Sequence, residues 1–294
     1  MSRPIRMKNL KIDCQKIVAH LAKFIRKTVK EQGFEKVIVA LSGGVDSSTA
    51  LTLAVRALGK DNVLVAILPD GNLNKKETED ALMMVKQLEM PSKNVLQIDI
   101  KLIVDSFWGV LSSCHPELDS GSRIAKIPKR VRNDVTSIAF KNVNRIRKGN
   151  IIARVRMILV YDLAKKHQAL VCGTENKSEY LLGYYTRFGD EASDLEPLRG
   201  LYKTQVKQLA YYLGIPEQII EQSASAGLWP GQTDEKELGF TYAQADLILA
   251  YHFDKKYSWE RIIELGFNKA VVRKVKKQVE QNAFKKRVPY LAKV

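Results

Sequence analysis

The stretch Ser42-Gly43-Gly44-Val45-Asp46-Ser47-Ser48 follows a short β-branched run, Lys36-Val-Ile-Val-Ala-Leu41, and its last serines begin a segment, 47–58, with apolar residues at helical spacing. A strand, a glycine-rich turn and a helix N-terminus in this order present backbone N–H groups to a phosphate. A serine-capped turn without a ligand is the alternative, but the strand before it and the helix after it favour phosphate binding. The stretch has no Gly-Lys-Ser/Thr, so it is not the lysine-bearing loop of ordinary ATPases, and Asp46 is placed to hold Mg²⁺ beside a pyrophosphate leaving group.

The same alternation of strands and helices continues along the chain. Further β-rich runs at 62–68, 94–100 and 170–172 are separated by predicted helices at 74–88 and 150–166. This order predicts an α/β fold with a doubly wound, Rossmann-like parallel sheet flanked by helices. Helical spacing predicts further helices at 12–32, 204–213, 243–253, 259–265 and 269–284.

Composition excludes several classes of protein. The 294 residues are 45% hydrophobic, contain no apolar run long enough to cross a membrane, and begin without a secretion signal. The three cysteines are far apart and form no Cys-x-x-Cys pair for zinc or redox chemistry. We therefore expect a cytoplasmic protein with no membrane partner.

The formal charge of +16 suggests nucleic acid or another polyanion until it is located along the chain. Residues 1–30 carry +8, residues 111–148 carry +6 and residues 255–294 carry +9, so the rest of the chain is −7. The excess charge thus lies outside the segments with chemical motifs. Nucleic acid is not expected as a partner.

Residues 111–141 interrupt the pattern. They lack clear periodicity and include Cys114-His-Pro-Glu-Leu-Asp-Ser-Gly-Ser122, which looks like a translated mobile repeat element. We expect a single domain over residues 1–294 with a loop inserted at about 111–141, without a catalytic role, and a basic helical segment at 255–294.

The Ser42–Ser48 loop resembles that of the N-type ATP pyrophosphatases, whose acceptors attack the α phosphorus of ATP. Five further blocks resemble the NAD synthetase family, in family order; they are Gly149-Asn-Ile-Ile-Ala-Arg-Val-Arg-Met157, Gly173-Thr-Glu-Asn-Lys-Ser-Glu179, Gly183-Tyr-Tyr-Thr-Arg-Phe-Gly-Asp-Glu-Ala-Ser-Asp194, Pro197-Leu-Arg-Gly-Leu-Tyr-Lys-Thr-Gln-Val206 and Ser225-Ala-Gly-Leu-Trp-Pro-Gly-Gln-Thr-Asp-Glu235. This resemblance implies the adenine nucleotide alpha hydrolase-like variant of the fold.

The resemblance implies an ATP site and a Mg²⁺ site. The ATP contacts would be Ala40, Leu41, Ser42, Gly43, Gly44, Val45, Asp46, Ser47, Ser48, Thr174, Lys203 and Ser225. Asp46 and Lys203 would be catalytic, and Asp46 and Glu179 would bind Mg²⁺. Glu179 also follows a predicted strand end, where an α/β sheet places ligands, so a second carboxylate near Asp46 makes chemical sense.

The second implied substrate is deamido-NAD, held by Arg154, Arg187, Asp194, Phe284 and Lys285. Two of these depart from the family pattern. Arg187 stands where the family usually has lysine, which keeps the charge and changes its geometry. Phe284 stands where many members have histidine, so it either stacks on the dinucleotide or closes the last helix as a core residue.

The implied reaction is the amidation of deamido-NAD to NAD by a homodimer, through an adenylated carboxylate, with release of AMP and pyrophosphate. The loop begins at residue 42, which leaves no room ahead of it for a glutamine amidase domain, so we expect ammonia as the nitrogen source. Two alternatives stay open at this point. One is a tRNA-modifying adenylase of the same superfamily, and the other is a non-catalytic adenine-nucleotide sensor.

Overall fold

The two β-branched runs on either side of the glycine-rich turn form the centre of a parallel sheet. The computed structural model describes residues 10–113, 129–287 and 289–292. Its strands are β1 (Lys36–Ala40), β2 (Val63–Ile67), β3 (Val95–Gln97) and β4 (Ala169–Cys172), in the order β3-β2-β1-β4. All pairs are parallel, and Val37 lies opposite both Val63 and Leu170. The predicted doubly wound α/β fold is confirmed.

Helices cover both faces of the sheet. In chain order they are α1 (Cys14–Glu31), α2 (Val45–Leu58), α3 (Lys75–Gln87), α4 (Lys101–Ser113), α5 (Lys129–His167), α6 (Lys177–Leu182), α7 (Lys203–Leu213), α8 (Glu217–Ile220), α9 (Asp234–Leu238), α10 (Tyr242–Leu249), α11 (Trp259–Glu264) and α12 (Lys269–Gln281). A π-helical turn, Ala250–Asp254, extends α10, and a 3₁₀ turn, Ala283–Lys286, follows α12. Most predicted elements therefore agree with the structure to within two or three residues.

The core has three parts. Helices α1, α2 and α7 pack over one face of the sheet around residues such as Ile25, Leu51 and Leu209. Helices α4 and α5 cover the other face, where Ile38 contacts their apolar side chains. The C-terminal helices α10 to α12 form a smaller separate cluster. Because both faces are covered, β1 and β2 have almost no polar side chains.

The strand order creates a crevice beside β1. From β1 the chain runs outward through β2 to β3, then returns across α4 and α5 to place β4 on the other side of β1. At such a switch point the connections leave the carboxyl ends of neighbouring strands in opposite directions, and ligands bind in the gap. The Ser42–Ser48 loop begins in this gap.

Sequence patterning missed the short helices α6, α8 and α9, and two longer helical regions as well. α5 begins at Lys129 rather than near 150, and α4 was not predicted. On α4, Leu102 and Val110 are exposed beside Lys101 and Asp105, while Val104 is buried. An apolar surface on both sides removes the periodicity that identifies a helix.

The predicted inserted loop is only partly visible. Residues 111–113 complete α4 and residues 129–141 belong to α5, so the loop conformation predicted for these residues is wrong. Residues 114–128 lie outside the described residues. The status of the segment as an insertion stays a prediction. Within the described ranges, every helix is too short or too polar to cross a bilayer.

Candidate active site

The glycine-rich loop is shaped by a close approach of backbone to backbone. Gly43 has φ +86°, and a Cβ at this position would lie 2.0 Å from the carbonyl oxygen of Glu77. Only glycine avoids both the strain and the clash. The hydroxyl of Ser47 donates to the carbonyl of Gly44 at 3.0 Å and accepts from the N–H of Ser42 at 3.2 Å. These hydrogen bonds of the Ser47 hydroxyl hold the two ends of the loop together.

Asp46, Glu179 and Lys203 meet at the carboxyl ends of β1 and β4. The Lys203 ammonium donates to Asp46 Oδ2, and lies 3.0 Å from Glu179 Oε1. Asp46 starts α2, Glu179 lies in the first turn of α6 and Lys203 begins α7, so three helix N-termini converge here. The structure thus brings both predicted catalytic residues together with the second predicted Mg²⁺ ligand.

Burial and neighbouring charges together shift the pKa values of Lys203 and Glu179. Lys203 is buried, which disfavours its charged form, but the carboxylates of Asp46 and Glu179 outweigh that cost and raise the pKa of Lys203. Burial likewise raises the pKa of Glu179 to about 8, with Lys203 opposing and Asp46 adding to the shift. Two carboxyl groups, those of Asp46 and Glu179, therefore share one ammonium at the edge of the cavity.

Hydrogen bonds with Asn176 and Ser178 hold Asp46 and Lys203 in place. The Asn176 side chain donates to Asp46 Oδ1 at 2.9 Å and caps α6 by accepting from the N–H groups of Ser178 and Glu179. The Ser178 hydroxyl accepts from the N–H of Lys203 at 2.9 Å and donates to the buried carboxylate of Asp246 at 2.5 Å. Asn176 and Ser178, which lie beside Glu179 in sequence, thus position Asp46 and Lys203, which lie far from it in sequence.

Most residues predicted to bind ATP line one cavity above the sheet. They are Ala40, Leu41, Ser42, Gly44, Val45, Asp46, Ser47, Thr174, Lys203 and Ser225. Gly43 and Ser48 do not line it. Gly43 packs against Glu77, and the hydroxyl of Ser48 is buried without a hydrogen-bond partner among the described residues.

Sequence reasoning missed several residues that line the same cavity. Arg156, Glu175, Tyr184, Asp190 and Asp234 all face it. Each lies inside a quoted motif block, but spacing along a chain does not show which way a side chain points. Asp234 is buried, accepts from the Tyr242 hydroxyl at 3.0 Å, and has its second oxygen unpaired within the described part of the chain.

Four of the five residues predicted to bind deamido-NAD lie together beside the loop at 183–188. Arg154 donates to the carbonyl of Arg187 at 3.2 Å, and the Arg187 guanidinium lies 5.7 Å from the ring centre of Phe284. Phe284 is 49% exposed, so its interpretation as a core residue is wrong. The Lys285 ammonium donates to the carbonyls of Gly183 and Tyr185.

The fifth residue lies elsewhere. The Asp194 carboxylate accepts from the N–H of Val171 at 2.7 Å and lines a second cavity with Lys36 and Tyr161, near the amino ends of β1 and β4. Within one chain the structure does not bring Asp194 to the other four.

The residues near Asp46 suit magnesium only in combination with a substrate. Across the described residues there is no cluster of three or more His, Cys, Asp or Glu side chains that could hold a metal. Mg²⁺ is commonly bound through one or two carboxylates together with substrate phosphates. The pair of Asp46 and Glu179, whose carboxyl groups both contact the Lys203 ammonium, fits that mode.

Comparisons with known proteins agree with these observations. The model of the NAD synthase family matches residues 17–289. An NH(3)-dependent NAD(+) synthetase of Pyrococcus furiosus is 40% identical over 285 residues, which cover 97% of this chain and 96% of the relative. One of Chlorobium phaeovibrioides is 36% identical over 290 residues, which cover 99% of this chain and 93% of the relative.

Two solved structures are also similar. An NH3-dependent NAD synthetase from Campylobacter jejuni, in complex with the nitrate ion, has a TM-score of 0.69 and 29% identity, over 96% of this chain and 100% of that chain. An NMN synthetase from Francisella tularensis has a TM-score of 0.76 and 26% identity, over 97% of this chain and 100% of that chain. Each comparison covers nearly the whole chain, including the loop and the three convergent helix starts.

Proposed function

This chain belongs to the NAD synthase family, and we propose that it is a ligase that uses ATP and ammonia to convert deamido-NAD to NAD. The products would be NAD, AMP and pyrophosphate. The observation that carries the proposal is the contact of Lys203 with Asp46 and Glu179 beside a preformed phosphate-binding loop. The name shared by the relatives supplies ammonia as the nitrogen source.

In the first step, a carboxylate oxygen of deamido-NAD attacks the α phosphorus of ATP. A C–O–P linkage forms and the bond to pyrophosphate breaks, so charge develops on the leaving group. The Lys203 ammonium and the N–H groups at the start of α2 would stabilise that charge. Because Asp46 and Glu179 hold the Lys203 ammonium in position, little reorganisation would accompany the reaction.

Asp46 and Glu179 would hold Mg²⁺ at the phosphates. The ion would supply positive charge to the pyrophosphate as it leaves. Asp46 is already oriented by Asn176, and Glu179 by the cap of α6. Both side chains line the same edge of the cavity.

In the second step, the nitrogen of ammonia attacks the carbonyl carbon of the adenylated carboxylate. The bond from that carbon to the AMP oxygen breaks, and the nitrogen loses one proton as the amide forms. AMP is a good leaving group, so no protein nucleophile is needed. The tasks left to the protein are positioning the two reactants and excluding water.

Arg154, Arg187, Phe284 and Lys285 would bind deamido-NAD next to this cavity. Arg154 and Arg187 supply positive charge, and the exposed ring of Phe284 supplies a stacking surface where the family has histidine. Lys285 also holds the loop that carries Arg187. Asp194 would contribute from its separate cavity.

We further propose a homodimer whose interface lies on α4 and α5. Large apolar side chains are exposed on both helices, among them Leu102 at 82%, Val110 at 62% and Ile158 at 53%. Exposed apolar surface of this extent marks a protein interface. Cytoplasmic location stays a prediction.

The test of the reaction is a coupled assay. Purified protein receives ATP, Mg²⁺, deamido-NAD and either ammonium or glutamine, and NAD is read with a dehydrogenase. We expect NAD with ammonium and none with glutamine alone. Folded protein that makes no NAD with ammonium would contradict the proposal.

A parallel reaction tests the size of the second substrate. The similarity to an NMN synthetase makes nicotinic acid mononucleotide the appropriate competitor for deamido-NAD. We expect a higher kcat/KM with deamido-NAD. A preference for the mononucleotide would show that nicotinic acid mononucleotide, rather than deamido-NAD, is the substrate. The two steps of the reaction would stay the same.

The earlier alternatives are not favoured. A tRNA-modifying adenylase is not among the named relatives and solved structures described above, whereas NAD synthetases match along almost the full chain. A non-catalytic sensor would not need Lys203 to be held between two carboxylates.

A further inference from the structure

Arg156 brings a second cation into the active-site cavity, and it has no anionic partner there. Its Nε donates to the carbonyl of Leu68 at 3.2 Å, and a terminal nitrogen lies 3.4 Å from the side-chain oxygen of Asn74. Both acceptors are neutral. No ion pair joins the Arg156 guanidinium to a carboxylate within 4 Å in the described part of the chain, whereas Lys203 has two.

An unpaired guanidinium sheltered from water is costly. Removal from water disfavours the charged form and lowers the pKa of Arg156, while Asp70, Asp190 and Glu77 oppose this from a distance. Arginine nevertheless stays protonated in proteins. The cavity therefore contains a positive charge that an incoming anion would neutralise.

The position of Arg156 indicates which anion this is. Leu68 follows β2 and Asn74 precedes α3, while Lys203 lies on the β4 side of the same cavity. Asn74 also donates to the carbonyl of Gly227 at 2.9 Å, which joins Arg156 to the loop that begins at Ser225. Arg156 thus lies across the cavity from the group expected at the outer phosphates.

Arg154 provides a natural contrast two residues earlier on α5. Residues two apart on a helix point about 200° away from each other. Arg154 is exposed and contacts the carbonyl of Arg187, whereas Arg156 points into the cavity. The side chains of Arg154 and Arg156 therefore lie at different sites, although both belong to one motif.

We propose that Arg156 binds the α-phosphate of ATP, the group to which the carboxylate is joined. This inference rests on the proposed function. With the outer phosphates at the Ser42–Ser48 loop and Lys203, the inner phosphate lies toward the β2 side of the cavity. A planar guanidinium can donate two parallel hydrogen bonds to its oxygens, and would stabilise the charge on them as the carboxylate attacks.

Binding of AMP and adenosine tests this without turnover. The two ligands differ only in the phosphate that corresponds to the α-phosphate of ATP. In the wild-type protein we expect calorimetry to give tighter binding of AMP than of adenosine. Arg156→Gln should weaken AMP binding about 10- to 100-fold and leave adenosine binding unchanged.

Two further variants control the experiment. Arg156→Lys keeps the charge but loses the fork, so it should recover part of the AMP affinity. Arg145→Gln removes the same charge from an exposed site on the same helix that does not line the cavity, and should keep the full difference between AMP and adenosine. Because the charge at residue 156 is unneutralised, we expect the melting temperature of Arg156→Gln to fall by no more than about 3 °C.

The outcomes separate the inference from the function it rests on. Equal loss of AMP and adenosine affinity in both Arg156 variants, with a large fall in melting temperature, would make Arg156 a structural residue and overturn the proposal. Wild-type protein that binds AMP no better than adenosine would also overturn it. The proposal would also be overturned if Arg156→Gln kept the AMP affinity but, in calorimetry with the two dinucleotides, lost the preference for deamido-NAD over NAD. That result would assign Arg156 to the carboxylate instead. Failure of NAD synthesis by the wild type would contradict only the proposed function.

Discussion

Lys203 joins the two carboxylates of the site, so its removal should affect both stability and activity. In Lys203→Met, Asp46 and Glu179 would be left buried without a cation. Removing one partner of a buried ion pair lowers the free energy of unfolding by about 3–5 kcal/mol. Loss of positive charge at the phosphates should also lower kcat at least about 100-fold. Urea unfolding and the coupled NAD assay measure the two effects.

Magnesium gives this variant an internal check. If Asp46 and Glu179 bind Mg²⁺, millimolar MgCl₂ should restore part of the lost stability. Lys177→Met is the matched control, since Lys177 pairs with an Asp254 side chain that is 45% exposed, and should cost no more than about 1 kcal/mol. A Lys203→Met protein as stable as this control would contradict the prediction.

Glu175 should make the protein less stable as pH rises. Burial raises the pKa of Glu175 to about 9, with its 2.5 Å contact to Arg199 opposing the shift. Between the unfolded pKa near 4.5 and this value, the folded state keeps a proton that the unfolded state has lost. The contribution of Glu175 to stability is therefore greatest at low pH and falls by up to about 1.4 kcal/mol per pH unit through this window.

Glu175→Gln removes the titrating carboxyl group, so the folded and unfolded states no longer differ in a proton bound at this residue. We expect a smaller fall in the free energy of unfolding between pH 6 and 9 than in the wild type, measured by urea denaturation. Glu221→Gln, at an exposed residue whose pKa is lowered by the Tyr211 hydroxyl, should leave the fall unchanged. Parallel curves for the wild type and Glu175→Gln would show that Arg199 keeps Glu175 ionised.

At the scale of elements, the start of α7 depends on α10. Asp246 of α10 accepts from the Ser178 hydroxyl and from the N–H of Thr204, and Ser178 accepts from the N–H of Lys203. One buried carboxylate thus orders the beginnings of both α6 and α7. Through them it positions Glu179 and Lys203.

Ser178→Ala and Asp246→Asn should therefore be strongly coupled. Each should cost about 1–3 kcal/mol of unfolding free energy, and the double variant should cost less than the sum by about 1 kcal/mol or more. Urea unfolding of the four proteins measures the coupling. The pair Ser178→Ala and Asp105→Asn, with Asp105 exposed on α4 and paired there with Lys101 and Lys148, should be additive. Additivity in both pairs would show that no relay connects the helices.

For the whole molecule, the exposed apolar surface of α4 and α5 predicts self-association. Leu102→Lys combined with Val110→Lys should shift sedimentation from dimer to monomer, because it places charges in an apolar interface. Leu82→Lys on α3, also at an exposed leucine, should leave the dimer intact. A wild type that sediments as a monomer at micromolar concentration would contradict the proposed dimer.

The sequence by itself determined the sheet, the glycine-rich loop and the family. Strand periodicity and the Ser42–Ser48 stretch depend on local backbone geometry, which neighbouring residues set directly. This is why β1, β2 and the start of α2 agree closely with the predictions. The conformation of α4 was not predictable in this way, because large apolar side chains such as Leu102 lie on its exposed surface as well as on its buried one.

Only the tertiary structure decided how the motif residues meet. Lys203 and Asp46 are 157 residues apart, and the crossover through α4 and α5 is what brings β4 and its following helices beside β1. The same packing turned Arg156 into the cavity, exposed Phe284, and separated Asp194 from the other predicted dinucleotide contacts. Side-chain direction and long-range proximity depend on how helices pack on the sheet, and residue spacing along the chain does not encode them.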